Sequence, residues 1–421
     1  MNRLVIILVL MVALAWAQKA NYRGYKLLRV TPETTEQLAY LVNLSLTPDT
    51  KGWLTGDDNA LDFWRDPTGL GEPVDILTNN GAFLERELTS RGMYPSILMD
   101  DVQSFADQRQ AENADSIAAG SKFTETYHTY EEIIDYLNQL AGNNSMVSVI
   151  KIGESDEVRD IVTARISSGG GDTKPAIYLE CGMHAREWIA HSTCLWIIDE
   201  LTTLYGQIPE ITSLVDRFDW FITPVSNPDG YVYSWLNDRL WRKNRKINPS
   251  SLCIGVDTNR NFDANFGGIG SSDDPCSNTY SGPSAFSETE SRAMRDILLS
   301  LQGRTKAVVS IHNNAQVWLS PYGYTTERPV DYDEMERVMS LGAAAIEATY
   351  GTQCPFGPGS EVLYFASGTT KDYVYGTLGV THSYTLELRN TDDGFITPTT
   401  LIAPVATEAW NGIKAMANAI A

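Results

Sequence analysis

Tyr178-Leu179-Glu180-Cys181-Gly182-Met183-His184-Ala185-Arg186-Glu187-Trp188-Ile189-Ala190-His191 is the stretch around which the chain is organised. Tyr178, Leu179 and Cys181 read as the end of a buried strand, Gly182 permits a sharp exit, and an apolar pattern of helical period begins near Trp188. His184 and Glu187 therefore occupy a strand-to-helix corner. Three residues apart on a tight turn, an imidazole and a carboxylate can face one point, which is what zinc needs from its first two ligands. His-x-x-Glu alone is a weak signal, because both residues are common on loops.

Outward from this corner the same alternation continues. Strands are predicted over 147–152, 176–180, 219–223, 307–311 and 383–388, and helices over 129–140, 188–205, 288–301, 332–350 and 404–420. This order predicts one α/β domain whose sheet is covered on both faces. Ahead of it, 21–107 reads as a small α/β unit, with strands over 25–30, 75–77 and 96–99 and helices over 32–44 and 81–91. The polar segment 106–122 has few apolar anchors and carries Arg109 and Lys122, so it reads as a linker open to proteases.

A chain of 421 residues, 43% hydrophobic, has room for an enzyme-sized core and a second unit. Its 32 basic and 53 acidic residues give a net charge of −21, which argues against a nucleic-acid partner. Arg3, the apolar run from Leu4 to Leu14 and the small-x-small pattern Ala15-Trp16-Ala17 predict a secretory signal over 1–17. That run is shorter than the ~20 residues a membrane span needs. The predicted product is secreted and extracellular, with no membrane partner. Five cysteines then allow two disulfides and one thiol, with the pairing open. Asn43-Leu44-Ser45 and Asn143-Asn144-Ser145 are glycosylation sequons.

His312 closes the apolar run 308–311, at a strand's end, where open α/β sheets place their ligand sites. Of the other histidines, His128, His191 and His382 read as structural. His184, Glu187 and His312 make a two-histidine, one-carboxylate set that leaves a position for water, the catalytic form of a zinc site.

His-Ala-Arg-Glu-Trp at 184–188, Leu-Trp-Arg-Lys-Asn-Arg at 240–245, Gly-Val-Asp-Thr-Asn-Arg-Asn-Phe at 255–262, Ser-Ile-His at 310–312, Pro-Tyr-Gly-Tyr at 321–324, Tyr364 and Leu-Glu-Leu-Arg at 386–389 fall in one order over 120–421. Together they resemble the zinc metallocarboxypeptidases of the digestive A/B type. Met99-Asp100-Asp101-Val102-Gln103 and its surroundings resemble that family's inhibitory pro-domain. The resemblance implies an α/β/α sandwich with a mixed eight-stranded sheet, preceded by a small α+β pro-domain. It divides the chain into a signal peptide (1–17), an activation pro-domain with its connecting segment (18–109) and a catalytic domain (110–421).

The resemblance also assigns roles. It makes His184, Glu187 and His312 the ligands of one Zn2+ and Glu387 the general base, a pairing suited to attack of water on a peptide carbonyl. Arg242 corresponds to the oxyanion-stabilising group, which suits a permanently charged donor. Asn259, Arg260 and Tyr364 match the binders of the substrate's terminal carboxylate, and Arg186 lies along the substrate path; a guanidinium fork distinguishes that carboxylate from an internal amide. Asp257 aligns with the carboxylate that orients a zinc-bound imidazole, the alternative being an Asx turn. Cys253 and Cys276 match the family's recurrent loop disulfide, and Cys181 and Cys194 a bridge of some members, leaving Cys354 free. Implied partners are peptide and protein C-termini as substrate, the chain's own pro-domain as inhibitor and an activating trypsin-like protease cutting at Arg109, or alternatively at Lys122. The implied state is a monomer and the implied location the digestive lumen.

Two departures bear on specificity. Asn313-Asn314 replaces the usual Ser-Tyr after the third ligand, removing a tyrosine of an outer subsite. Lys371 stands where A-type enzymes have an apolar residue and B-type enzymes an acidic one, on the floor of the pocket for the last side chain. An ammonium there repels Lys and Arg and pairs with glutamate, predicting removal of C-terminal Glu. The alternative is that Lys371 turns to solvent or to a neighbouring acid and leaves an A-like pocket for aliphatic and aromatic residues. Two rival functions are an inactive carboxypeptidase-like binding protein, which has no need of Glu387 with Arg242, and a zinc amide hydrolase acting on acylated amino acids, which the pro-domain disfavours.

Overall fold

A computed structural model describes residues 19–46 and 61–420; the predicted signal segment lies outside them. The first unit contains β1 (Lys26–Val30), α1 (Thr35–Leu46), β2 (Leu61–Arg65), β3 (Val74–Thr78), α2 (Gly81–Thr89) and β4 (Ser96–Met99). Its antiparallel sheet has the order β2-β3-β1-β4. One face packs on its own helices through Leu28, Ile76, Leu41, Leu84 and Leu88. The other sets Leu27, Trp64, Leu77 and Met99 against Leu240, Phe395 and Ile396 of the larger unit, so the small sheet is seated on its neighbour by an apolar core.

The segment 106–122, predicted as a linker, is instead mostly helical: α3 spans Val102–Ala118. Asp101 caps it, accepting from the Ser104 amide at 2.9 Å. Its polar side chains pair along the surface, as in Gln103 with Asp107 and Gln108 with Glu112. It is a polar helix between two units, a case that hydrophobic period cannot detect.

The larger unit follows with α4 (Tyr130–Asn143), β5 (Val147–Glu154), β6 (Asp160–Ile166), β7 (Ala176–Cys181), α5 (Trp188–Thr203), α6 (Pro209–Arg217), β8 (Asp219–Thr223) and α7 (Pro228–Leu236). It ends with α8 (Thr289–Ser300), β9 (Thr305–Asn313), β10 (Val317–Ser320), α9 (Tyr332–Tyr350), β11 (Phe356–Pro358), α10 (Gly359–Val362), α11 (Thr370–Gly376), β12 (His382–Leu388) and α12 (Ile402–Ala419). The sheet order is β11-β10-β12-β9-β7-β8-β6-β5. The central pairs β8–β7, β7–β9 and β9–β12 are parallel, while β5–β6, β6–β8 and β10–β12 are antiparallel. This is the mixed eight-stranded sheet of the predicted fold class.

β7 and β8 are buried at every position because both sheet faces are covered. Ile177, Leu179, Val309 and Ile311 face α5, α9 and α12. Tyr178 and Val308 face α8 and α11. Each fully buried aliphatic side chain of this kind contributes roughly 1.5–3 kcal/mol. The parallel strands β7, β9 and β12 all deliver their C-terminal ends to one edge, where the functional residues gather.

Candidate metal centre and substrate pocket

The corner after β7 is locked by close packing. Gly182 has φ +78°, and a Cβ there would lie 1.9 Å from the His191 ring. The Ala185 amide donates to the Arg242 carbonyl at 3.0 Å, and Asn227 Nδ2 to the Met183 carbonyl at 3.1 Å. Glu187 takes the residue before α5. His184 Nδ1 then lies 2.8 Å from Glu187 Oε1, and His312 Nδ1, from β9, lies 3.0 Å from Glu187 Oε2 and 3.1 Å from His184 Nδ1. All three side chains are buried. Burial opposes a charge on His312, yet Glu187 raises its pKa to about 9. Burial likewise pushes Glu187 up, and the two histidines outweigh it and hold its carboxyl far below the usual range. The cluster therefore draws positive charge, and two imidazoles with one carboxylate are donors that suit zinc.

Asp257 binds the centre to its surroundings. Its Oδ1 lies 3.1 Å from His184 Nε2 and also accepts from the Asn259 amide at 2.9 Å, so the carboxylate both faces the imidazole and closes an Asx turn. Its Oδ2 accepts from Arg242 Nε and Nη2 at 3.2 and 2.8 Å. Burial alone would raise the Asp257 carboxyl, but Arg242 and then His184 hold it well below its ordinary value. The β9–β12 register sets Glu387 directly beside His312. Burial raises the Glu387 carboxyl, in keeping with a proton acceptor held next to the cluster.

A cleft is lined by His184, Arg242, Asn259, Arg260, Tyr364, Lys371 and Glu387. Asn259 Oδ1 accepts from the Thr370 amide at 3.0 Å, and Arg260 donates to the carbonyls of Gly270 and Asn259 at 2.8 and 3.0 Å. Tyr364 stands exposed at the lip. Lys371 is buried, and its Nζ donates to Asp372 Oδ1 at 2.9 Å. A Cβ built on Gly323 would lie 2.9 Å from that Nζ, and one on Gly359 3.1 Å. The ammonium thus lies between two glycines of the pocket wall with an acid already beside it.

Arg186 lies outside this wall. Its guanidinium sits 4.1 Å over the Phe395 ring, and its Nη1 donates to Asp62 Oδ2 of β2 at 2.5 Å. Neither Asp62 nor Asp66 was singled out in the sequence, although the alternation Leu61-Asp62-Phe63-Trp64 carries a strand's period. Burial raises the Asp66 carboxyl to about 6 against the pull of Arg242 and Arg260. Thr369 was also missed; its buried Oγ1 has no hydrogen-bond partner.

Arg109 lies midway along α3, donating to Glu112 Oε2 at 2.7 Å and Asp393 Oδ1 at 3.0 Å. Lys122 is exposed beyond the helix. Cys181 is bonded to Cys194 and Cys253 to Cys276, and Cys354 is free and buried. His128 stacks on Phe123, His191 Nδ1 bonds to the Pro224 carbonyl and His382 opens β12; none joins the cluster.

This donor set, at the edge of a mixed sheet with a carboxylate and an arginine alongside, defines a zinc-dependent hydrolase. Residues 133–412 match the family model described as zinc carboxypeptidase, and residues 28–109 the model described as carboxypeptidase activation peptide. The chain belongs to the zinc carboxypeptidase family. It is 38% identical over 419 residues to carboxypeptidase A2 of Rattus norvegicus, covering 98% of this chain and 97% of the relative. It is also 38% identical to carboxypeptidase A1 of Bos taurus, over 94% and 93% of the two chains. Among solved structures, carboxypeptidase A from Helicoverpa armigera superposes with a TM-score of 0.84 at 30% identity, covering 95% of this chain and 98% of that one. Thrombin activatable fibrinolysis inhibitor gives 0.84 at 31% identity, over 95% and 99%.

Proposed function

We propose that this chain is the secreted zymogen of a metallocarboxypeptidase that hydrolyses the C-terminal peptide bond of peptides and proteins, with His184, Glu187 and His312 holding one Zn2+. The observation that carries the reading is the convergence of these three buried side chains with Glu387 registered beside His312 and Arg242 tied to Asp257. Zinc held there supplies a Lewis acid to the scissile carbonyl and to water. Glu387 takes the water's proton and returns it to the departing amine. Arg242, held rigid by Asp257, donates to the carbonyl oxygen as negative charge develops on it. Arg260, Asn259 and Tyr364 receive the terminal carboxylate, so with an internal bond in its place the Arg260 guanidinium meets a neutral amide and finds no counter-charge. The test is one zinc per processed chain by metal analysis, together with release of the last residue from a free peptide and none from its C-terminally amidated twin. Equal turnover of both peptides, or absence of zinc, removes the reading.

For the last side chain, kinship with A1 and A2 carboxypeptidases and the neutralisation of Lys371 by Asp372 favour an A-like preference for aliphatic or aromatic residues. A second reading, preference for Glu, rests on one observation: Lys371 Nζ stays in the pocket wall between Gly323 and Gly359, with donors beyond the one Asp372 takes. Competing peptides ending in Phe, Leu, Glu and Arg discriminate the two. Faster release of Phe than Glu eliminates the second reading, and the reverse order eliminates the first.

The division into a signal peptide (1–17), an inhibitory unit (18–109) and a catalytic domain (110–421) is part of the proposal. So are an extracellular, digestive setting, a monomeric state and activation by a trypsin-like protease. The Asp62–Arg186 pair supports inhibition by occlusion of the substrate path. Among the described residues no helix is long and apolar enough to cross a membrane.

A further inference from the structure

Glu180 in β7 has no solvent exposure, and among the described residues no lysine or arginine forms an ion pair with it. Both of its oxygens are nonetheless occupied. Oε1 accepts from Ser226 Oγ and Oε2 from Ser310 Oγ, each at 2.5 Å. The β7–β9 register sets Glu180 opposite Ser310, and Ser310 and His312, two residues apart on β9, share a sheet face. Ser310 Oγ lies 2.9 Å from His312 Nε2.

A hydroxyl has one hydrogen. Ser310 commits it to Glu180, so toward His312 it can only accept, and that fixes a proton on Nε2. The lone pair of the ring is then left on Nδ1, the atom that faces Glu187 and His184. Asn259 Nδ2 also approaches Nε2, at 3.4 Å, but as a second donor it adds nothing in this tautomer. A buried acid satisfied by hydroxyls alone is costly to keep.

We propose that Ser310 and Glu180 are positioning residues for His312, forming a relay that orients the ring and presents Nδ1 to the metal, as Asp257 does directly for His184. The inference rests on the reading of His312 as a zinc ligand. Partners of this kind typically change metal affinity by roughly 10- to 100-fold when removed.

The experiment measures zinc affinity of the full chain by chelator competition, with the His312 Nε2 proton followed by nitrogen-edited NMR on the zinc-loaded protein. Ser310→Ala should weaken zinc binding by about 10- to 100-fold and abolish the protection of the Nε2 proton from solvent exchange. Ser310→Thr, which keeps the hydroxyl, should restore both. Glu180→Leu removes both acceptors, releases the Ser310 hydrogen from its commitment and should weaken zinc with Ser310 intact. Zinc affinity of Ser310→Ala within about twofold of the parent, or equal losses for Ala and Thr, overturns the relay. An unaltered affinity in His312→Ala would instead overturn the ligand assignment itself, so the two failures are separable.

Discussion

Replacing Asp62 by alanine tests how the small unit silences the cleft. The pair it forms with Arg186 joins side chains only 19% and 4% exposed, at 2.5 Å. Truncation leaves the guanidinium buried over Phe395 without its carboxylate. Breaking a fully buried pair costs about 3–5 kcal/mol, and the partial hydration of Asp62 reduces this to roughly 2–3 kcal/mol. At 1.4 kcal/mol per decade, the seated state should lose roughly 30- to 150-fold in occupancy. The apolar seat of Trp64 on Phe395 stays in place, so the chain should remain folded and uncut while gaining activity. The assay is hydrolysis of a small substrate by uncleaved zymogen, with intactness checked by mass. If Asp62→Ala zymogen is as silent as the parent and its melting temperature is unchanged, the latch is not this ion pair.

Glu387→Gln should reduce kcat by roughly 10²- to 10⁴-fold while retaining one zinc per chain, read by turnover and metal analysis. Glu290 is buried, and burial raises its pKa from the ordinary 4.5 to about 7 against the pull of Asn244. A carboxyl raised on folding stabilises fully below its unfolded pKa and loses that contribution as pH rises through the folded value. Chemical unfolding should therefore show a loss on the order of 3 kcal/mol between about pH 4.5 and 8 that Glu290→Gln abolishes. The Cys253–Cys276 bond closes a loop with a sequence separation of 23, and its double serine variant should lose about 3 kcal/mol by the same measurement. N-terminal sequencing of the trypsin-activated form should begin at Gln110 or Phe123; a start well before residue 105 excludes both sites.

The central strands were legible because they are buried on both faces and read as unbroken apolar runs: 219–223 was anticipated to the residue and 176–181 to within one. Short strands such as β10 and the edge strand β11, four and three residues long, carry too few positions to express a period. The helix α3 escaped because its stability comes from a cap and surface pairs, which leave no apolar stripe. At the site, His184 and Glu187 were legible from local spacing and His312 from its place at a strand's end. Asp62 and Asp66 were not, since their meaning depends on the docking of one unit on another. Glu180 and Ser310 offered a fainter sign, polar residues inside otherwise apolar strands, which becomes interpretable only when the sheet register sets them opposite one another.

The helical state of residues 102–118 has a kinetic consequence. A protease threads its target as an extended strand, so any enzyme cutting after Arg109 must wait until several turns have frayed and the Asp393 contact has let go. When refolding of the helix outpaces cutting, the observed rate is the open fraction multiplied by the cleavage rate, however tightly the protease docks. The connecting helix would then act as a built-in delay, its own unwinding equilibrium setting the pace at which the enzyme is switched on.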